Sequence, residues 1–372
     1  MKIPFNYLPY QFKNTKVYFD GWKKLIKSCE FTLGPYVEKF EKSFSKFVGA
    51  KHCISTNNGT DALVLALKSL GIKKGDEVIT VCNSFYATAG AIVACGAKPV
   101  FVDSDERYQI KVSMIEKAIT KKTKIILPVH WGGASPEMES LMRVARKYNL
   151  KVVEDACMGI GAKINKKRAG TFGDVNAFSM HPLKSLNVMG DGGMVVTNND
   201  KIASWLRKYR NHGMTDRDHI DVWGDNKRLQ PIQAIVASIE LKKVNSVILK
   251  RNRNAKILDK ALSKIKFIKI PERQKKNTET FALYMASFKK RDKLKSYLIK
   301  NGIEVKVHYP IPLHLQKPSR RLGYKSGDFP NAEKQSKELL TLPIHQYLSK
   351  KQLNYTVQKI ENFYLKKLII KN

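Results

Sequence analysis

Through its first two thirds the chain alternates short β-branched runs with segments whose apolar residues recur at helical spacing. Asp61–Leu70 (DALVLALKSL) predicts a helix and Glu77–Val81 a strand after it. The alternation continues with helix Ala87–Cys95 and strand Pro99–Asp103, then helix Met114–Ile119 and strand Lys124–His130. Helix Pro136–Tyr148 leads to strand Lys151–Asp155, and Ala177–Met180 and Gly193–Thr197 read as further strands. This order predicts an α/β protein whose mainly parallel sheet carries helices on both faces. Sheets of that kind bind ligands at the carboxyl ends of their strands, where Asp155 and His130 fall.

After a long helix, Pro231–Ile248, the pattern changes. Strand Phe281–Phe288, helix Arg291–Asn301, strand Glu304–His308 and helices near Ala332–Leu340 and Lys350–Phe363 read as a smaller α/β domain. The expected division is a large domain over 1–245 and a small C-terminal one over 246–372. Met1–Tyr10 and a helix near Gly34–Phe47 are expected to cross over or join the large domain. With no internal repeat and no Pro/Ser linker, the two should act as a rigid unit.

Composition narrows the class. At 372 residues and 43% hydrophobic the chain has ample core. Its apolar runs, such as Ile125–Val129, are strand-length, so no membrane span is expected. The start, MKIPFNYLPYQFKN, does not read as a secretory signal. Five scattered cysteines without a CxxC predict neither a disulfide framework nor a metal site, and suggest a reducing, cytoplasmic setting. The charge is unusual: 68 Lys+Arg against 32 Asp+Glu, net +36. The basic residues are spread in small groups (Lys73-Lys74, Lys121-Lys122, Lys350-Lys351) rather than gathered in one stripe. They read as solvated helix faces, with attraction of a nucleotide diphosphate as a weaker role, and no nucleic-acid partner is expected.

The chemistry concentrates in Lys151–Val196, KVVEDACMGIGAKINKKRAGTFGDVNAFSMHPLKSLNVMGDGGMVV. Asp155 ends an apolar run, and Lys184 follows Ser179-Met180-His181-Pro182-Leu183 before a glycine-rich loop. An enzyme using pyridoxal phosphate (PLP) needs such a pair: a lysine to join the cofactor's aldehyde and an acid to keep its ring nitrogen protonated. Upstream, Asn58-Gly59-Thr60-Asp61 opens a helix after Ile54-Ser55-Thr56. A helix N-terminus with a glycine offers free N–H groups to a phosphate. Taken singly, each has a bland reading: a surface lysine, a helix-capping aspartate, an Asn-Gly turn.

Together these segments resemble the DegT/StrS family of PLP-dependent sugar-nucleotide aminotransferases over nearly the whole chain. FSMHPLK with GDGG is similar to the family's FSFHPxK…GxGG, EDACMGIGA to E-D-A-x-x-x-x-G-A, and NGTDAL to SGTDAL. The resemblance implies the PLP fold-type-I architecture, with Lys184 and Asp155 catalytic. It implies Gly59, Thr60 and Ser179 around the cofactor phosphate. Phe85, in Ser84-Phe85-Tyr86-Ala87-Thr88-Ala89, is similar to the aromatic of TFxATA that stacks on the ring. Trp223–Leu229 (WGDNKRL) resembles GxNxRL, implying that Asn226 reaches the phosphate of a second subunit's cofactor in a homodimer with shared sites. Arg228 would serve the interface or the phosphate. HYPIPLH resembles HYPxPxH near the sugar pocket, implying substrate contacts from His308, Tyr309 and His314. The chain departs from the pattern at Met158 and Ile160, where the family has glutamine and histidine. The implied reaction moves an amino group from L-glutamate to a nucleotide-linked keto-deoxysugar, for surface-polysaccharide or related amino-sugar synthesis. A sugar dehydratase of the same family would have histidine at Lys184. A nucleic-acid-binding regulator on the same fold would draw only on the charge.

Overall fold

The computed structural model describes residues 1–369. Seven strands make one sheet: β1 (His52–Thr56), β2 (Glu77–Val81), β3 (Lys98–Val102), β4 (Thr123–Leu127), β5 (Lys151–Asp155), β6 (Val175–Ser179) and β7 (Gly193–Thr197). Their order is β1-β7-β6-β5-β4-β2-β3. β3, β2, β4, β5 and β6 run parallel, and β7 is antiparallel to both β1 and β6. This is the mainly parallel sheet that the alternation predicts.

Period-two side-chain alternation feeds two cores. On β7, Val195 joins a large cluster with Leu63, Ile79, Ile126, Val153 and Leu206. Met194 and Val196 join another with Phe40, Phe44, Phe178 and Ala237. The first cluster is covered by helices α3 (Gly59–Ser69), α4 (Tyr86–Ala94), α5 (Met138–Lys147) and α6 (Asp200–Tyr209). The second lies under α2 (Gly34–Val48) and α7 (Pro231–Leu241), with α1 (Lys16–Ser28) against α7.

Three expectations need correction. The helix Pro231–Ile248 is two helices, α7 and α8 (Val244–Leu262), broken at Lys242-Lys243 where a tighter turn bonds Lys243 N to Glu240 O (2.9 Å). The strand expected over Lys124–His130 stops at Leu127 because Pro128 has no N–H to offer. Glu304–His308 forms no strand and makes only an isolated pairing, Lys306 with Thr341. The strand lies instead at Leu339–Leu342, where an apolar run reads equally well as the end of helix α10 (Pro330–Glu338). That strand, Tyr284–Phe288 and Ile268–Lys269 form a three-stranded antiparallel sheet. The sheet packs with α8, α9 (Arg291–Lys300) and α11 (Lys350–Ile369) around Leu258, Phe288, Leu294 and Ile360.

The N-terminal segment crosses onto this second cluster. Ile3 pairs with Ile303, Phe5 N donates to Glu304 Oε2 (2.8 Å), and His345 Nε2 contacts Pro4 O (3.1 Å). Tyr7 Oη then donates to Lys184 O (2.9 Å), so the chain's start touches the segment that carries the chemistry.

Candidate active site

A cavity of about 540 Å³ opens at the carboxyl ends of the parallel strands, a size suited to a cofactor or small ligand. Its wall includes Gly59, Thr60, Phe85, Asp155, Ser179, Lys184, His308 and Tyr309. Eight of the ten residues singled out in the sequence therefore share one cavity. The other two, Asn226 and His314, do not line it.

One end of the cavity is built by backbone geometry. Asn58 caps α3, its Oδ1 accepting from Asp61 N at 2.8 Å. The amides of Gly59 and Thr60 precede the first intrahelical bond and keep their donors. A Cβ on Gly59 would lie 2.6 Å from Ser179 Cβ, so only glycine lets the helix start approach β6 this closely. Two N–H groups and the Ser179 hydroxyl thus meet at a positive helix end.

Asp155, at the end of β5, is buried. Its Oδ2 accepts from Thr88 Oγ1 (2.7 Å) and its Oδ1 from Cys157 N (3.2 Å). Ser84 Oγ lies 2.8 Å from Thr88 Oγ1 and extends the chain of hydroxyls. Thr88 stands in the motif around Phe85, yet its bond to Asp155 spans β5 and α4 and has no local signal.

Lys184 follows β6 on a short turn, its N–H bonded to His181 O (2.8 Å). Burial lowers its ammonium pKa, partly offset by Cys157 and Asp155, which raise it. The amine is therefore easier to deprotonate than a surface lysine. Burial pushes the Cys157 thiol well above its ordinary value. His308 is lowered to about 4 by burial and by nearby Lys184, and is neutral at pH 7. Its Nδ1 contacts Thr341 Oγ1 at 2.9 Å. The Tyr309 hydroxyl is raised to about 12 by burial, so it remains a donor. Phe85 is 46% exposed, tilted against Tyr86 and Tyr309 with centroids 5.3 and 5.9 Å away.

His314 is buried, its Nε2 on Glu333 Oε1 at 3.0 Å. Its place next to a proline-fixed turn seats it in the hydrophobic cluster of Phe101 and Phe329 rather than at the cavity. Asn226 is exposed, and its Oδ1 accepts from Arg228 Nε (3.0 Å). Arg228 Nη1 in turn donates to Asn211 Oδ1 (2.9 Å). Neighbouring Lys227 ion-pairs with Asp61 (2.5 Å), tying this segment to the start of α3. Met158 does line the cavity, and its carbonyl accepts from Thr280 Oγ1 at 2.8 Å. Phe5, Tyr7, Trp131, Arg251 and His345 also form the wall, and sequence reading gave none of them a role.

A profile described as the DegT/DnrJ/EryC1/StrS aminotransferase family matches residues 15–361. The chain belongs to this family. It is 40% identical over 346 residues to a "Pleiotropic regulatory protein" of Geobacillus stearothermophilus, covering 92% of each. It is 37% identical over 334 residues to a UDP-N-acetyl-3-dehydro-α-D-glucosamine 3-aminotransferase of Acidithiobacillus ferrooxidans, covering 90% of each. The crystal structure of S. venezuelae DesV in complex with a ketimine intermediate matches with TM-score 0.95 at 33% identity, covering 97% of this chain and 98% of that one. For a family aminotransferase the site passes a direct test of cofactor fit. Its helix start has free amides beside a glycine whose Cβ would collide with Ser179, its lysine has a lowered pKa, and its buried carboxylate accepts two hydrogen bonds.

Proposed function

We propose that this protein is a PLP-dependent aminotransferase moving an amino group from an amino-acid donor, L-glutamate, to the keto group of a nucleotide-linked deoxysugar. The observation that carries the reading is the convergence of Lys184, Asp155 and the Gly59–Thr60–Ser179 cradle on one cavity. PLP, when bound, accepts the donor's nitrogen and draws off charge from the carbon that loses its proton. Gly59, Thr60 and Ser179 would hold its phosphate, and Phe85 would lie against its ring. Asp155, oriented by its bonds to Thr88 and the Cys157 amide, would hold a proton at the ring nitrogen. The Lys184 amine takes and returns the proton at the reacting carbon. Neutral His308 and the Tyr309 hydroxyl line the cavity and would contact the sugar.

The division near residue 245, the homodimer with Asn226 acting on the partner's site, the cytoplasmic setting and a place in surface-polysaccharide synthesis belong to the same proposal. Lys184 weighs against the dehydratase reading, which needs histidine there. The decisive experiment is a screen of UDP- and dTDP-linked keto-sugars with L-glutamate, detecting 2-oxoglutarate and the amino-sugar. The expected result is sustained, multiple-turnover release of 2-oxoglutarate only with a keto-sugar present; without one, release should stop at an amount stoichiometric with the bound cofactor. Absence of transfer to every sugar by PLP-loaded protein would overturn the reading.

A further inference from the structure

Three arginines are buried: Arg210, Arg251 and Arg291. Arg210 is paired with Glu41, and Arg291 with Asp292. Arg251, on α8 and 1% exposed, has no acidic partner among the described residues. Its Nε donates to Gln346 Oε1 at 3.1 Å. Its Nη1 makes two long contacts, 3.4 Å to Ser185 Oγ and 3.3 Å to Phe281 O. Its Nη2 has no acceptor. A buried cation with no carboxylate beside it and an unused N–H is costly, and an anionic ligand would offset that cost.

The position says which anion. Arg251 lines the same cavity as Lys184 and touches Ser185, the next residue in the chain. Its guanidinium carbon lies 5.1 Å from the centroid of the Tyr7 ring, whose hydroxyl is bonded to Lys184 O. The cradle of Gly59, Thr60 and Ser179 already provides for a phosphate elsewhere in the wall. A planar fork with an unused N–H matches a carboxylate.

We propose that Arg251 is the carboxylate anchor for the amino-acid donor, fixing it with its amino group toward Lys184. The Tyr7 ring covers the guanidinium in the free chain and yields to the ligand. This rests on the aminotransferase reading. A carboxylate on a uronic-acid sugar would present the same chemistry, and the test separates the two.

PLP-loaded wild type, Arg251→Gln and Arg251→Lys are compared in steady-state kinetics and by calorimetric titration with 2-oxoglutarate. For Arg251→Gln we expect the KM for L-glutamate and the Kd for 2-oxoglutarate to rise by about ten- to a hundredfold, the loss of a charged hydrogen bond. The KM for the keto-sugar should stay within about twofold, a change too small for a lost charged contact. Arg251→Lys keeps the charge without the fork and should fall between, which maintains the test if the glutamine variant does not fold. A rise confined to the sugar's KM would assign the anchor to the sugar and overturn the proposal, as would unchanged constants for both ligands. Arginine-dependent 2-oxoglutarate binding in a protein that aminates no nucleotide sugar would keep this inference and remove the sugar reading instead.

Discussion

Lys184 and Met158 face the same cavity and depend on their surroundings in opposite ways. The lysine's usefulness comes from burial, which lowers its pKa and leaves a larger share of neutral amine at a given pH. On the proposed roles, Lys184→Ala removes both the covalent partner and the proton carrier. Turnover should fall by at least about a thousandfold while circular dichroism stays unchanged. Turnover near the wild-type rate would remove the central assignment. Met158 stands where the family has a glutamine donor, and a thioether cannot donate. Its backbone is anchored through Thr280, so the side chain can change without loosening the wall. Met158→Gln should stay folded and active, moving the pH midpoint of the bound cofactor's visible band by under about one unit, the worth of one hydrogen bond. Loss of cofactor binding would show instead that the site tolerates no polar group there.

At the scale of elements, the start of α3 and the end of β5 carry the proposed site. A methyl group on Gly59 has 2.6 Å to Ser179 Cβ, so Gly59→Ala must push α3 away from β6. PLP affinity, followed by fluorescence titration, should weaken by about tenfold or more, the loss of one or two hydrogen bonds to a charged group. Affinity equal to wild type would mean that the phosphate sits elsewhere. At β5, Glu154 beside Asp155 accepts from His130 Nε2 (2.7 Å) and from the amides of Gly170, Phe172 and Gly173 (2.8, 2.6 and 2.8 Å). Burial alone would raise its pKa, but His130 and these amides bring it below the ordinary value. The folded state therefore binds this proton less tightly than the unfolded chain. The stabilisation is complete above the unfolded value of about 4 and is lost as pH falls through the folded one. Wild type should exceed Glu154→Gln in Tm most at pH 7, with the gap narrowing as pH falls below about 4. A gap independent of pH would show that the ionised carboxylate is not what holds residues 170–173.

The whole molecule raises a question of number. One chain gathers eight of the ten sequence-derived site residues but leaves Asn226 exposed outside the cavity. Trp223, three residues earlier, is 87% exposed. Both fit a segment that completes its surroundings on a second copy. Inactive Lys184→Ala chains mixed with inactive Asn226→Ala chains should regain activity on subunit exchange. Each mixed dimer would hold one site with both defects and one with neither. No recovery, with mixed dimers shown by mass spectrometry, would place Asn226 in its own subunit's site or in a structural role.

Sequence alone determined the alternation of strands and helices, because burial on both faces writes a continuous apolar run and one-sided burial writes a helical period. It also singled out Lys184, Asp155, Gly59, Thr60 and Ser179, which the fold brings to one cavity, because each lies in a contiguous motif whose residue types the proposed chemistry requires. Leu339–Leu342 was illegible because four buried apolar residues suit either a strand or a helix end, and only pairing with Tyr284–Phe288 decides between them. The wall formed by Tyr7, Trp131, Arg251 and His345 was illegible for the same reason at larger range. Tyr7 meets Lys184 across 177 residues, and Arg251 meets Gln346 across 95. Nothing local marks a tyrosine or an arginine for such a meeting. Only the packed fold, which carries the N-terminal segment past Ile303 and lays α8 behind Lys184, decided that they share a cavity.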